Sequence, residues 1–153
     1  MSFLNRIISS QRLGPDLLRL VLCAIVFVHG MYRYDEGSLP IMGKLLELSG
    51  FPKGSGYALA CVVNLVETFG AVFLALRIMV WPLCAAFSVI YFTGIVIFHR
   101  EAGFFVVGPG SDGWEYSALL ITCFVAVAWE NRSSRYWPLG QAEEAKRPSL
   151  SAY

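Results

Sequence analysis

Glu67 is the residue in this chain whose chemistry most needs a partner. It stands within Tyr57–Leu76, YALACVVNLVETFGAVFLAL, an almost unbroken apolar stretch with Asn64, Glu67 and Thr68 near its middle. A carboxylate at the centre of a bilayer-length helix costs about 2.5–3.5 kcal/mol to insert, so it is rarely left facing lipid. Asn64, Glu67, Thr68 and Ala71 recur at i, i+3, i+4 and i+7, which sets them on one helical face. Ala60 extends that face with another small side chain, the kind that lets helices approach closely in membranes. Two chemistries fit such a face. Interhelical hydrogen bonds could lock packing, or Glu67 could relay protons or bind a ligand, with a nearby Arg19 or His29 favouring its charged form.

Other polar residues mark the ends of further apolar stretches: His29 and Arg33, then His99-Arg100, then Trp114-Glu115-Tyr116. Histidine, arginine and tyrosine can all donate hydrogen bonds to a ligand's oxygen atoms. Two histidines on different helices also allow bis-histidine haem ligation, but neither has a supporting motif. Arginines at such positions also suit lipid headgroups, and Glu115 suits the positive end of a helix that starts beside it. Cys23, Cys61, Cys84 and Cys123 fall one per apolar stretch with no C-x-x-C, as small buried hydrophobes do. No paired, activated thiol is evident.

The elements that must position these groups follow from hydropathy. The chain has 153 residues, 56% hydrophobic and only 15% charged, with mean hydropathy +0.58. A soluble domain carries nearer 25% charge. Net charge of +1 leaves no nucleic-acid footprint. Four apolar spans are expected: Leu17–Tyr34, Tyr57–Leu76, Ile78–Phe98 with Pro82 in its first turn, and a short one at Trp114–Trp129. The first lacks a small-residue cleavage site and is read as retained. Between the first two spans, Ile41–Leu48 predicts a short helix closed by Ser49-Gly50 and Phe51-Pro52. Residues 1–13 read as an amphipathic interfacial segment, 14–130 as the membrane domain and 131–153 as a polar, disordered tail. The predicted fold is therefore all-α, a bundle of four transmembrane helices.

Basic residues set the orientation. One side collects Arg6, Arg12, Arg19, Arg77, Arg132, Arg135, Lys146 and Arg147, which places both termini in the cytoplasm. His29, Arg33, His99, Arg100, Glu115 and Tyr116 then share the outer boundary, with Glu67 and Asn64 somewhat deeper. Four helices can gather this set around an outward-opening polar pocket.

The same residues carry a resemblance. His29-Gly30 followed by Arg33, Gly50-Phe51-Pro52, Glu67-x-x-Gly70 with Leu74, Arg77, His99 before Gly103-Phe104-Phe105, and Gly113-x-Glu115-Tyr116 occur in an order and spacing that resembles the DoxX family over roughly 13–130. Arg33 stands where that family often has lysine, and Ala71 where it often has a second glycine. The resemblance implies a small four-helix protein of the bacterial inner membrane, associated with electron-transfer enzymes that include a thiosulfate:quinone oxidoreductase. The leading expectation is a membrane subunit of an oxidoreductase complex. It would bind a quinone or similar amphipathic ligand through His29, Arg33, Asn64, Glu67, His99, Glu115 and Tyr116. No cofactor-bearing or metal-ligating motif is present, so the chain is not expected to catalyse alone. Expected partners are membrane lipids, other redox subunits and further copies of the chain. The alternative is a non-catalytic scaffold or assembly factor. A transporter ranks below both, because four short helices without repeats or broken segments offer little to rock.

Overall fold

The computed structural model describes residues 13–107 and 112–131. Among them every regular element is helical. Helix α1 (Leu13–Asp35) is followed by a short α2 (Leu39–Leu48). A second rod is built from α3 (Gly56–Leu65), a π-helical turn π1 (Val66–Gly70) and α4 (Ala71–Ala75). A third joins α5 (Val80–Gly94) to a second π-helical turn, π2 (Ile95–His99), and α6 (Glu115–Glu130) is the last. Three rods, Leu13–Asp35, Gly56–Ala75 and Val80–His99, are long and apolar enough to cross a membrane. Helix α6 has 16 residues, about 24 Å at the helical rise.

The rods pack as a ring. Helix α1 lies against π1, α4 and α6, and α5 lies against α6 and α4, while α2 is laid on α3. The face that α1 buries, Asp16, Arg19, Leu22, Cys23, Val26 and Gly30, recurs every three or four residues as a helix requires. At the centre Phe87 stacks on Phe124 with ring centroids 4.9 Å apart. Large apolar side chains also cover the outside: Val28, Val62, Val89, Phe92 and Val125 are each more than half exposed. An apolar patch this extensive suits a hydrocarbon solvent.

Three helix ends share one device. At Gly37, Gly50 and Arg77 the chain turns left-handed just past a helix, and the next residue's N–H bonds back five residues to close it (Ser38 to Arg33, Phe51 to Leu46, Ile78 to Phe73). Two of these positions hold glycine, which adopts that conformation freely. The third holds Arg77 at φ 60°, a strained choice for a side chain. Its side chain supplies the compensation. Arg77 pairs with buried Asp16, which also lies 3.6 Å from Arg19 Nη2. Arg19, 1% exposed, donates to the terminal carbonyls of Leu74, at 3.0 Å, and Ala75. Three charged groups thus pin the start of α1 to the end of α4.

That cluster explains why α1 extends beyond Leu17 toward the N-terminus. Asp16 and Arg19, which look like boundary residues in the sequence, have partners and lie inside the helix. The short helix starts at Leu39, with Pro40 in its first turn where a missing N–H costs little. Leu13 belongs to α1, and the remainder of the interfacial segment lies outside the described residues. So does the polar tail beyond Asn131. Cys23 and Cys84 are buried, Cys61 and Cys123 half-buried, and all four thiols are free.

Candidate functional site

Both π turns carry a chemistry-bearing residue, Glu67 in π1 and His99 in π2. A π turn inserts one residue into the helical repeat, which re-aims the side chains that follow and recurs at functional sites. The two rods so interrupted, with α1, α2 and the start of α6, enclose a cavity of about 500 Å³. Ligand pockets commonly occupy about 300–1,000 Å³.

The cavity lining has a polar component. His29, Arg33, Glu67, His99 and Tyr116 all belong to it, and Tyr91 joins them. Glu67 is 1% exposed and accepts a hydrogen bond from Arg33 Nη1, forming an ion pair. Arg33, its side chain 15% exposed, follows His29 by one turn of α1, so one helix delivers both. Arg19 is not the neighbour of Glu67: it is engaged at the opposite end of the bundle. Tyr91, from α5, is buried and lines the cavity alongside Glu67. A phenol in an apolar helix needs a partner for its O–H, and that need is the signal by which Tyr91 could have been found.

His99 Nδ1 lies 2.6 Å from the backbone carbonyl of Asp112. A carbonyl only accepts, so Nδ1 carries a proton, and in the neutral ring Nε2 is left as an acceptor. Asp112 reaches this position through a left-handed backbone, φ 63°. Around it the loop closes on itself: Gly113 N donates to Phe105 O at 3.1 Å and Glu115 N to Phe104 O at 2.9 Å. A Cβ at Gly113 would stand 2.4 Å from that Phe105 carbonyl, so only glycine fits there. Phe104 packs edge-on against Trp114, ring centroids 4.8 Å apart.

Most of the remaining lining is apolar, including Met42 and Leu46 of α2, Phe51, Leu59 of α3, and Ile90 and Phe98. Helix α2 therefore forms part of the pocket, a role beyond that of a connector. It sits close because Gly43 and Gly56 face each other: a Cβ on Gly56 would come within 2.1 Å of the Gly43 carbonyl.

Asn64 and Glu115 stand outside the cavity. Asn64 is buried one turn before Glu67, with its Oδ1 unpartnered. Thr68 Oγ1, also unpartnered, abuts Gly30, where a Cβ would come within 2.7 Å of it. Glu115 Oε1 accepts the Val106 N–H at 2.9 Å and holds the loop to the first turn of α6. Arg100 is exposed and does not line the cavity. Among the described residues no group of three or more histidine, cysteine or carboxylate side chains could hold a metal ion. Compared with known proteins, the chain matches no family model, no curated protein and no solved structure.

Proposed function

We propose that this chain is a four-span membrane protein of the bacterial inner membrane, related to the DoxX family, whose cavity binds a quinone or a similar amphipathic molecule. In this reading α6 is the fourth span and both termini are cytoplasmic. The Asp16–Arg19–Arg77 cluster then lies near the cytoplasmic face, and the cavity lies toward the outer one, in keeping with the bias of basic residues. The chain serves an oxidoreductase complex as its membrane subunit, and the redox centres belong to its partners.

The observation that carries the reading is the composition of one cavity. Five polar or ionisable side chains, His29, Arg33, Glu67, His99 and Tyr116, line the same cavity as a set of aliphatic and aromatic ones. A quinone needs donors for its carbonyl oxygens beside an apolar slot. Tyr116 and His29 supply donors, His99 Nε2 accepts from a reduced hydroxyl, and Glu67 stands by as a proton acceptor held in place by Arg33. One observation favours the scaffold reading instead. The Arg33–Glu67 pair already ties α1 to π1, and a purely structural lock would look the same.

Purification in lipid nanodiscs followed by mass spectrometry of bound small molecules tests the proposal. A quinone retained in molar proportion to the protein, and lost with His99→Ala at unchanged protein yield, is the expected result. Retention of bulk phospholipid alone supports the scaffold.

A further inference from the structure

A second depression adjoins the cavity. It is a groove of about 470 Å³, open on its outer side and lined by Ala24, Ile25, Val28, His29, Tyr32 and Tyr116. Four of these residues, at 24/25, 28 and 32, make an i, i+4, i+8 stripe that runs about 12 Å along α1. His29 and Tyr116 line the groove and the cavity alike. They form the partition between the cavity and an apolar groove on the outer surface of the bundle. Val28, in the groove, is 64% exposed, and Ala24 is exposed beside it. In a bilayer this surface meets acyl chains rather than water.

We infer that the groove between α1 and α6 is the binding site for the hydrocarbon tail of the ligand whose head occupies the cavity, the chain passing between His29 and Tyr116. The inference rests on the ligand reading above and narrows it to a neutral, long-tailed amphipath that enters sideways from the bilayer.

Charge supplies the word neutral. The described lining of the cavity holds one guanidinium, Arg33, against two carboxylates, Glu67 and Asp112. Arg33 is already paired with Glu67. An anionic headgroup would find no uncommitted guanidinium or ammonium there, in a lining with more acidic residues than arginines or lysines. Fatty acids and phospholipids are therefore poor occupants, and a head bearing carbonyls or hydroxyls is a good one.

Continuity supplies the word tail. Met42, Leu46 and Leu59 of α2 and α3 line the cavity and not the groove, whereas the two donors, His29 and Tyr116, line both. A molecule whose head accepts from His29 and Tyr116 has its substituents at the partition, and the groove is the continuation open to lipid. A head without a tail uses the cavity alone.

The test compares a methoxy-substituted benzoquinone lacking a side chain with its decyl derivative, decylubiquinone. Both are titrated into the full chain in nanodiscs and scored by native mass spectrometry. The variants are Val28→Phe and Ala24→Phe, which add volume to the groove at two exposed positions that do not line the cavity. Each should weaken decylubiquinone binding by about tenfold, within the usual cost of forcing extra volume into a packed site. Binding of the tailless quinone should be unchanged. Unchanged affinity for both ligands overturns the tail assignment, as does equal loss of both in both variants. Failure of either quinone to bind the unsubstituted chain would overturn the ligand reading itself, and is thereby distinguished from failure of the groove.

Discussion

Removing either member of the Arg33–Glu67 pair alone should do more harm than removing both. Glu67 is 1% exposed, and Arg33→Met would strand its carboxylate without the guanidinium that pairs with it. Breaking a buried pair from one side costs about 3–5 kcal/mol. Glu67→Leu strands Arg33 instead, but that side chain is 15% exposed and long enough to reach toward the interface. Its cost should sit lower, at about 2–3 kcal/mol by the same reasoning. The double replacement, Arg33→Met with Glu67→Leu, leaves two apolar side chains of similar volume and should be near neutral. The coupling energy, the two single costs less that of the double, should then reach about 5–8 kcal/mol, above the range of about 0.5–3 kcal/mol usual for residues in contact. Reversible unfolding in mixed micelles of the four proteins reads it directly. Additive losses would refute the pairing on which the site is built. The double variant also separates the two functional readings. It should fold yet lose affinity for decylubiquinone, whereas a stable double variant with affinity intact would leave only the scaffold.

Two further outcomes follow from the packing and the orientation. Gly56→Ala places a methyl 2.1 Å from the Gly43 carbonyl, a backbone atom that cannot step aside, so α2 must lift from α3. Overpacking of this kind costs about 1–3 kcal/mol, and a thermal melt should fall accordingly, with quinone affinity falling too because Met42 and Leu46 move with α2; an unchanged melt would contradict the close contact. For topology, a single cysteine at Lys53, in the exposed turn before α3, should react with a membrane-impermeant thiol reagent in intact cells. The comparison is with a chain whose native cysteines are replaced, and labelling only after lysis would reverse the orientation.

The rods were legible because apolar length and helical period survive in any helix that packs on one face and meets lipid on the other. Glu67 was legible as a residue demanding a partner, and its partner was not. Arg19 and Arg33 look alike in the sequence, each near an end of the same apolar stretch. What separates them is Asp16, one turn before Arg19, and the unsatisfied carbonyls of Leu74 and Ala75, which together claim Arg19 for the other end. The π turns left no trace in composition, since one inserted residue changes neither hydropathy nor charge. They nevertheless set where Glu67 and His99 stand. Tyr91 was hidden among apolar neighbours, and Glu115 looked like a cavity residue until the Val106 N–H was seen to occupy it. The role of α2 depended on a contact between Gly43 and Gly56, residues 13 positions apart, that no local pattern announces.

The central claim is that a neutral amphipath sits with its head among His29, Glu67, His99 and Tyr116. Photolabelling in proteoliposomes with an azido-substituted quinone, followed by peptide mapping, addresses it most directly. The account predicts label on the segments carrying Tyr91–His99 and Gly113–Ser117, competed away by excess decylubiquinone and sharply reduced in Arg33→Met with Glu67→Leu. Label scattered over the lipid-facing side chains of α1 and α5, unaffected by competitor, would contradict it.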